Sequence, residues 1–99
     1  NSWKKNLMDP IVKVLVLKNE SKVLVTKIKE VQSELGEPDC QLTDPVEFRS
    51  GSEEWKERLQ RWPGKLLTQN HQCMISSDAI LTIVDPQPEL LEAYQEVIS

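Results

Sequence analysis

The chain of 99 residues contains no long apolar run. A membrane-spanning helix needs roughly 18 or more consecutive apolar residues, and residues 1–7 also lack the apolar stretch of a signal peptide. Independent domains usually contain roughly 100 to 150 residues. We therefore expect residues 1–99 to form a single domain, located in the cytoplasm and not bound to a membrane.

Histidine and cysteine are scarce, since His71, Cys40 and Cys73 are the whole supply. One disulfide is possible but nothing requires it. Small disulfide scaffolds carry several cysteine pairs, so a reducing compartment is favoured. The His71-x-Cys73 pair offers two ligands, whereas a zinc site needs three or four. We expect no metal and no other cofactor.

The sequence also lacks the motifs of common catalytic sites. With three glycines, it has no glycine-rich phosphate loop, no nucleophile elbow and no metal motif. Its carboxylates at Asp44, Glu47, Asp78 and Asp85 have no evident catalytic partner in the sequence. We therefore predict that the protein is not an enzyme and has no catalytic residues.

The charge is acidic overall and unevenly distributed. The net charge of −4 argues against indiscriminate nucleic-acid binding, and we expect no DNA partner. Residues 1–30 hold seven lysines and three acidic residues, whereas residues 31–99 hold five basic and thirteen acidic residues. This asymmetry can steer a partner or promote contact between copies, or the lysines can simply be the solvated face of two strands.

What the chain does contain is a series of short segments rich in β-branched and apolar residues, which predict strands. The first two are expected to form one hairpin, and the last two are expected to form another, joined by a tight turn. Proline cannot donate to a strand ladder, so Asp44-Pro45 predicts an edge, a bulge or a sharp bend. The five predicted strands are residues 11–18, 22–31, 40–49, 66–75 and 79–84.

Two further segments have helical spacing. Trp55, Leu59 and Trp62 recur at i, i+4 and i+7, which predicts a short helical insertion at about residues 50–63. A final helix is predicted at about residues 88–98, where proline and glutamate suit a helix start. The predicted fold is all-β. It is a small, strongly bent, five-stranded antiparallel barrel over about residues 10–86, with the two helices added.

The predicted strands resemble the Sm-like (LSm, Hfq-type) family. VKVLVLKNESKVLVTKIKEV followed by LTDPVEF, within residues 12–48, resembles the first family motif, in which a lysine-bearing hairpin leads to a strand that ends in an acidic and an apolar residue. CMISSDAILTIVDP, at residues 73–86, resembles the second motif. Residues 50–65 match the variable segment between the motifs.

The resemblance implies association with RNA and a closed homo-oligomeric ring of about five to seven subunits. In this family the fourth strand of one subunit pairs with the fifth strand of the next. Ordinary core packing is the open alternative for the interface candidates, which are Cys73, Ile75, Leu81 and Ile83. The candidate RNA-facing loop positions are Gln32, Ser33, Ser76 and Ser77.

Two departures from the family bear on RNA binding. Members that bind uridine-rich RNA usually carry Asp-x-x-Met-Asn-like residues after the second strand, whereas QSELGEPD at residues 32–39 has neither the asparagine nor a stacking residue. Ser76 and Ser77 stand where a basic residue and a glycine are usual. Two hypotheses follow. One is an RNA-associated chaperone or scaffold ring with a divergent pocket, and the other is a protein-interaction scaffold without RNA.

Overall fold

A computed structural model describes residues 11–99 of the chain. Within this range the fold is mostly antiparallel β-sheet, with one α-helix and two 3-10 turns, Trp55–Arg58 and Ser77–Ala79. The strands are β1 (Ile11–Leu17), β2 (Val23–Glu30), β3 (Cys40–Phe48), β4 (Leu59–Arg61), β5 (Gln72–Ile75) and β6 (Ile80–Val84), and the helix is α1 (Pro88–Ile98).

The strands form one sheet in the order β4-β3-β2-β1-β6, with β5 also paired to β3. β4 and β5 therefore occupy two halves of β3, with β4 opposite residues 46–48 and β5 opposite residues 40–43. Over residues 11–99 no ladder joins β6 to β4 or β5. The prediction of a closed five-stranded barrel is wrong, because the sheet has six strands and is open.

The predicted helical insertion at residues 50–63 forms only in part. It is reduced to one 3-10 turn, after which the chain becomes extended and Leu59 begins β4. Trp55 and Leu59 pack on the face of the sheet that α1 covers, whereas Trp62 packs against the other face. Because side chains alternate along an extended chain, residues 59 and 62 point to opposite faces. The apolar residues whose spacing predicted a helix thus pack on two opposite faces of a sheet.

The last two strands do not form the predicted hairpin. The predicted strand at residues 66–75 is shortened to β5, because the amides of Leu67 and Thr68 bond to the Gly64 carbonyl and turn the chain. β5 then pairs with β3 and β6 pairs with β1. The 3-10 turn between β5 and β6 connects one edge of the sheet to the opposite edge.

Three other predictions are confirmed. β1 and β2 form an antiparallel hairpin, closed by a hydrogen bond of 2.8 Å from the Leu17 amide to the Lys22 carbonyl. Its turn has no glycine, and Glu20 and Ser21 adopt the left-handed conformation with φ of 63° and 48°. The C-terminal helix forms with Pro88 at its start. The third confirmed feature is the irregularity at Asp44-Pro45.

At that point β3 contains a β-bulge. The register between β2 and β3 shifts between Val25 and Lys27, so that Asp44 and Pro45 both lie opposite Thr26. Asp44 has a φ of 53°, in the left-handed region that few non-glycine residues adopt. Such bulges re-aim a side chain out of the regular pleat.

The sheet carries apolar clusters on both faces. We call the cluster that includes α1 the helix-side cluster, and its buried members are Val25, Val46, Leu59, Ala93 and Tyr94. We call the other the far-side cluster, and its buried members are Leu15, Leu24, Ile28, Cys40 and Leu42. Residues of two edge strands, β5 and β6, pack against the far-side cluster.

Candidate functional site

The predicted RNA-facing residues lie in two loops that Asp39 joins. Gln32 and Ser33 are exposed in the loop after β2, where they line an open groove together with Asp39. Ser77 lies in the 3-10 turn before β6. Its amide and hydroxyl donate to the two carboxylate oxygens of Asp39 at 2.7 and 2.8 Å. The two loops are therefore adjacent.

The chemistry of these loops does not suit a phosphate backbone. The Ser77 hydroxyl is engaged by Asp39, and the Ser76 hydroxyl accepts a hydrogen bond of 3.2 Å from the Asp78 amide. The groove contains no lysine or arginine, so its electrostatic field repels phosphate. Its acidic lining residues are Glu30, Glu34, Glu37 and Asp39.

The predicted interface residues lie on two of the edge strands, β5 and β6. Within the described range, β5 pairs only with β3, and β6 pairs only with β1. Cys73, Ile75 and Ile83 are half-buried and pack against the far-side cluster, in agreement with the alternative of core packing. Leu81 differs from them, because 63% of its surface is exposed.

Exposed apolar side chains occur on both β5 and β6. Met74 of β5 is 43% exposed, and Leu81 and Val84 of β6 are 63% and 49% exposed. The other large exposed apolar residues among those described, Leu35, Leu66 and Leu67, lie outside the strands. Apolar surface on an unpaired strand edge is a common feature of contact sites between proteins.

A polar cluster that was not predicted from the sequence surrounds the bulge residue Asp44. Its Oδ1 accepts a hydrogen bond of 2.8 Å from Nη1 of Arg61, and its Oδ2 accepts one of 3.3 Å from the Lys27 ammonium. The Nδ1 of His71 lies 3.3 Å from Oδ1 of Asp44 and 2.9 Å from Nη1 of Arg61. We call these four residues the Asp44 cluster. It joins β2, β3 and β4 to the segment that precedes β5.

The environment of Asp44 favours its charged form. Burial raises the pKa of this carboxyl, but hydrogen bonds from Arg61, Lys27 and His71 outweigh burial and hold the pKa below the usual value of 3.8. Helix α1 contacts the same region, because Nη2 of Arg61 donates a hydrogen bond of 3.2 Å to the Ile98 carbonyl. Burial and the charge of Asp44 raise the pKa of Tyr94 to about 12.

A signal for this cluster was present in the sequence. Residues 58–77 contain no aspartate or glutamate, although the chain has 16 of them, and they include His71, Arg61 and Lys65. The acid-free stretch indicates a local positive field in an acidic protein. The contact with Asp44 could not be read from it, because that contact depends on which strands pair.

Comparison with known proteins places the chain in a family. Residues 10–99 match the model of DUF6561, a family of unknown function. The chain belongs to the DUF6561 family. No curated protein matches it. The family match provides no link to Sm-like proteins, so that resemblance stays a prediction.

Two kinds of feature are absent from residues 11–99 of this DUF6561 chain. Among residues 11–99, no group of three or more histidine, cysteine, aspartate or glutamate side chains is arranged to hold a metal ion. In the same part of the chain, no helix has the length and apolar character needed to cross a membrane. No disulfide joins Cys40 to Cys73.

Proposed function

We propose that this DUF6561 protein assembles through its strand edges into a closed homo-oligomeric ring that acts as a protein-interaction scaffold. One observation carries the proposal. β5 and β6 each have a strand neighbour on one side only within the described residues, and both carry exposed apolar side chains. A ring formed through these strands would pair β5 of one subunit with β6 of the next.

The physical basis is the unsatisfied edge of a sheet. An edge strand presents unpaired N–H and C=O groups, and natural proteins commonly protect such edges with lysine, proline or a covering segment. Neither β5 nor β6 contains lysine or proline. Two different edges that meet form a heterologous contact, and repetition of that contact gives a ring if the rotation closes. The corresponding strands make this contact in the Sm-like proteins that residues 73–86 resemble.

The experiment is a measurement of molar mass by light scattering after size exclusion, at micromolar concentration. We expect a multiple of the 11.4 kDa chain, with about five to seven subunits. A Leu81→Lys variant should be reduced to a monomer, because a charge on each copy of the edge disfavours pairing. Circular dichroism should show that this variant is folded, since Leu81 is largely exposed.

Leu35→Lys is the matched control. Leu35 is fully exposed in the loop between β2 and β3, so this change adds the same charge away from either edge. The control should keep the mass of the unaltered protein. A monomeric mass for the unaltered protein over the whole concentration range would overturn the ring proposal.

An RNA-associated ring with a divergent pocket is the second candidate, favoured by the contact between the Ser77 turn and the loop that carries Gln32 and Ser33. The acidic groove weighs against it. A binding titration with single-stranded uridine-rich and adenine-rich oligomers at several salt concentrations separates the candidates. An affinity whose logarithm falls linearly with the logarithm of salt concentration would favour RNA binding. Absence of binding at low salt would favour the scaffold.

We also propose a cytoplasmic location and no catalytic activity. The chain has two cysteines, and no disulfide joins Cys40 to Cys73, which supports a reducing compartment. Alkylation of the protein under denaturing conditions immediately after cell lysis should modify both cysteines. A protein isolated with neither thiol available would contradict the reducing location.

A further inference from the structure

A cavity of about 340 Å³ opens beside the Asp44 cluster. Its volume is at the lower end of the roughly 300 to 1,000 Å³ typical of sites for small molecules. The walls come from the β3 bulge, the end of β4 and the segment that leads to β5. The lining residues are Pro45, Arg61, Trp62, Gly64, Lys65, Thr68, Gln69, Asn70 and His71.

The lining is positive in an otherwise acidic protein. It includes Arg61, Lys65 and His71, and it contains no carboxylate. The carboxylate of Asp44, which contacts Arg61 in the wall, is already bonded to Arg61 and Lys27. The exposed Lys65 side chain makes no ion pair or hydrogen bond with another described residue. Its ammonium is thus available to an anion, and a charge-assisted hydrogen bond to phosphate is among the stronger polar interactions.

The remaining walls suit a flat, polar-edged ring. Trp62 and Pro45 provide apolar surface, and Trp62 is held in place because it also packs against the far-side cluster. An indole face stacks on any nucleobase. Gln69 and Asn70 offer amide donors and acceptors of the kind that bond to base edges. The Thr68 hydroxyl accepts a hydrogen bond of 3.0 Å from the Asn70 amide, which orders this part of the wall.

We propose that this cavity binds a nucleoside phosphate, with Lys65 and Arg61 at the phosphate and Trp62 beside the base. Asp44 is a positioning residue, because it orients the Arg61 guanidinium and the His71 ring. A free nucleotide and the terminal nucleotide of a single strand share this chemistry. The proposal is independent of ring assembly, since every lining residue belongs to one chain.

Calorimetric titration of the full chain at low salt tests the proposal. The probes are adenosine 5′-monophosphate, adenosine, inorganic phosphate and a 5′-phosphorylated hexa-adenylate. We expect the monophosphate to bind about tenfold more tightly than adenosine or inorganic phosphate, because it alone fills both parts of the cavity. Tighter binding of the hexamer than of the monophosphate would identify a strand terminus as the ligand. Equal or weaker binding of the hexamer would identify the free nucleotide.

Lys65→Gln and Lys18→Gln form the matched pair of variants. Both lysines are exposed, and only Lys65 lines the cavity. Lys65→Gln should weaken monophosphate binding by about tenfold, and Lys18→Gln should leave it unchanged. Absence of binding at millimolar monophosphate, equal binding of inorganic phosphate, or equal losses in both variants would overturn the proposal. Light scattering should give both variants the mass of the unaltered protein, which separates this result from the test of the ring.

Discussion

The Tyr94 hydroxyl donates a hydrogen bond of 2.9 Å to the backbone carbonyl of Asp44. The Tyr94 side chain is completely buried, and its hydroxyl also lies 3.4 Å from the Thr43 carbonyl. A helix residue therefore holds the backbone of the β3 bulge, while the side chain of the same bulge residue binds groups from β2 and β4. The docking of α1 and the geometry of the Asp44 cluster are linked through one residue.

Removal of the Tyr94 hydroxyl should destabilise the protein moderately. Tyr94→Phe keeps the ring in the helix-side cluster but leaves the Asp44 carbonyl without this donor, so we expect the free energy of unfolding to fall by about 1 to 2 kcal/mol. Tyr94→Ala also removes the buried ring and should lower it by roughly 3 to 5 kcal/mol. Urea unfolding measures both. Equal stability of Tyr94→Phe and the unaltered protein would show that the hydrogen bond contributes nothing.

The ionisation of Tyr94 gives an independent measurement in alkaline solution. Tyr94 is the sole tyrosine, so the ultraviolet absorbance of phenolate reports on it alone. Burial raises its pKa in the folded protein to about 12, from an ordinary value of 10.0. Because the folded pKa is raised, the stabilisation is complete below pH 10 and is lost as the pH rises towards 12. A native titration midpoint near the one observed in urea would contradict this environment.

Asp44 should make the stability depend on acid. Its pKa is lowered in the folded state, so its contribution is complete above the unfolded value near 3.8 and is lost as the pH falls through the folded pKa. We expect Asp44→Asn to lower the free energy of unfolding at neutral pH by about 1 to 3 kcal/mol, and the difference from the unaltered protein to shrink below about pH 4. Denaturant unfolding at several pH values tests this.

Asp85→Asn is the control for Asp44. Asp85 pairs with Lys13, but its side chain is 81% exposed. Exposed ion pairs contribute about 0 to 1 kcal/mol, because water screens them. If stability depended on acid in the same way in both variants, the Asp44 cluster would contribute no more than an exposed ion pair.

The Asp39–Ser77 contact should stabilise the turn that separates β5 from β6. Ser77→Ala removes one hydrogen bond to the carboxylate and should lower the free energy of unfolding by about 1 kcal/mol, whereas Asp39→Ala removes both bonds and should have a larger effect. Ser33→Ala, at an exposed position across the groove, should have almost none. Thermal unfolding ranks the stabilities of the three variants. Unchanged stability of Asp39→Ala would contradict a structural role for the Asp39–Ser77 contact.

The two cysteines should react slowly in the native protein. Cys40 is completely buried, and burial raises the pKa of the half-buried Cys73 thiol above its ordinary value of 9.0. Because the thiolate is the reactive form, a colourimetric thiol reagent should modify both residues much faster in denaturant than in buffer. Cys73→Ser isolates the slower reaction of Cys40. Rapid native modification of Cys40 in that variant would contradict its burial.

Local patterns predicted the elements that depend on local chemistry. The β1–β2 hairpin and α1 follow from β-branched runs and from the start signals of a helix, and the bulge at Asp44 follows from a proline that cannot donate to a ladder. The predicted helical insertion is reduced to one 3-10 turn, because the same apolar spacing also fits a 3-10 turn followed by a strand. In this case burial of Leu59 on one face and Trp62 on the other favours the extended chain.

The sequence by itself therefore determined the segments of β1, β2, β3 and β6, the final helix, the acidic balance and the acid-free stretch at residues 58–77. Only the tertiary structure decided which strands became edges and which side chains met Asp44. Lys27, Arg61 and His71 lie 17, 17 and 27 residues from Asp44 along the chain. They meet because β3 pairs with β2 on one side and with both β4 and β5 on the other, and no local periodicity encodes that arrangement.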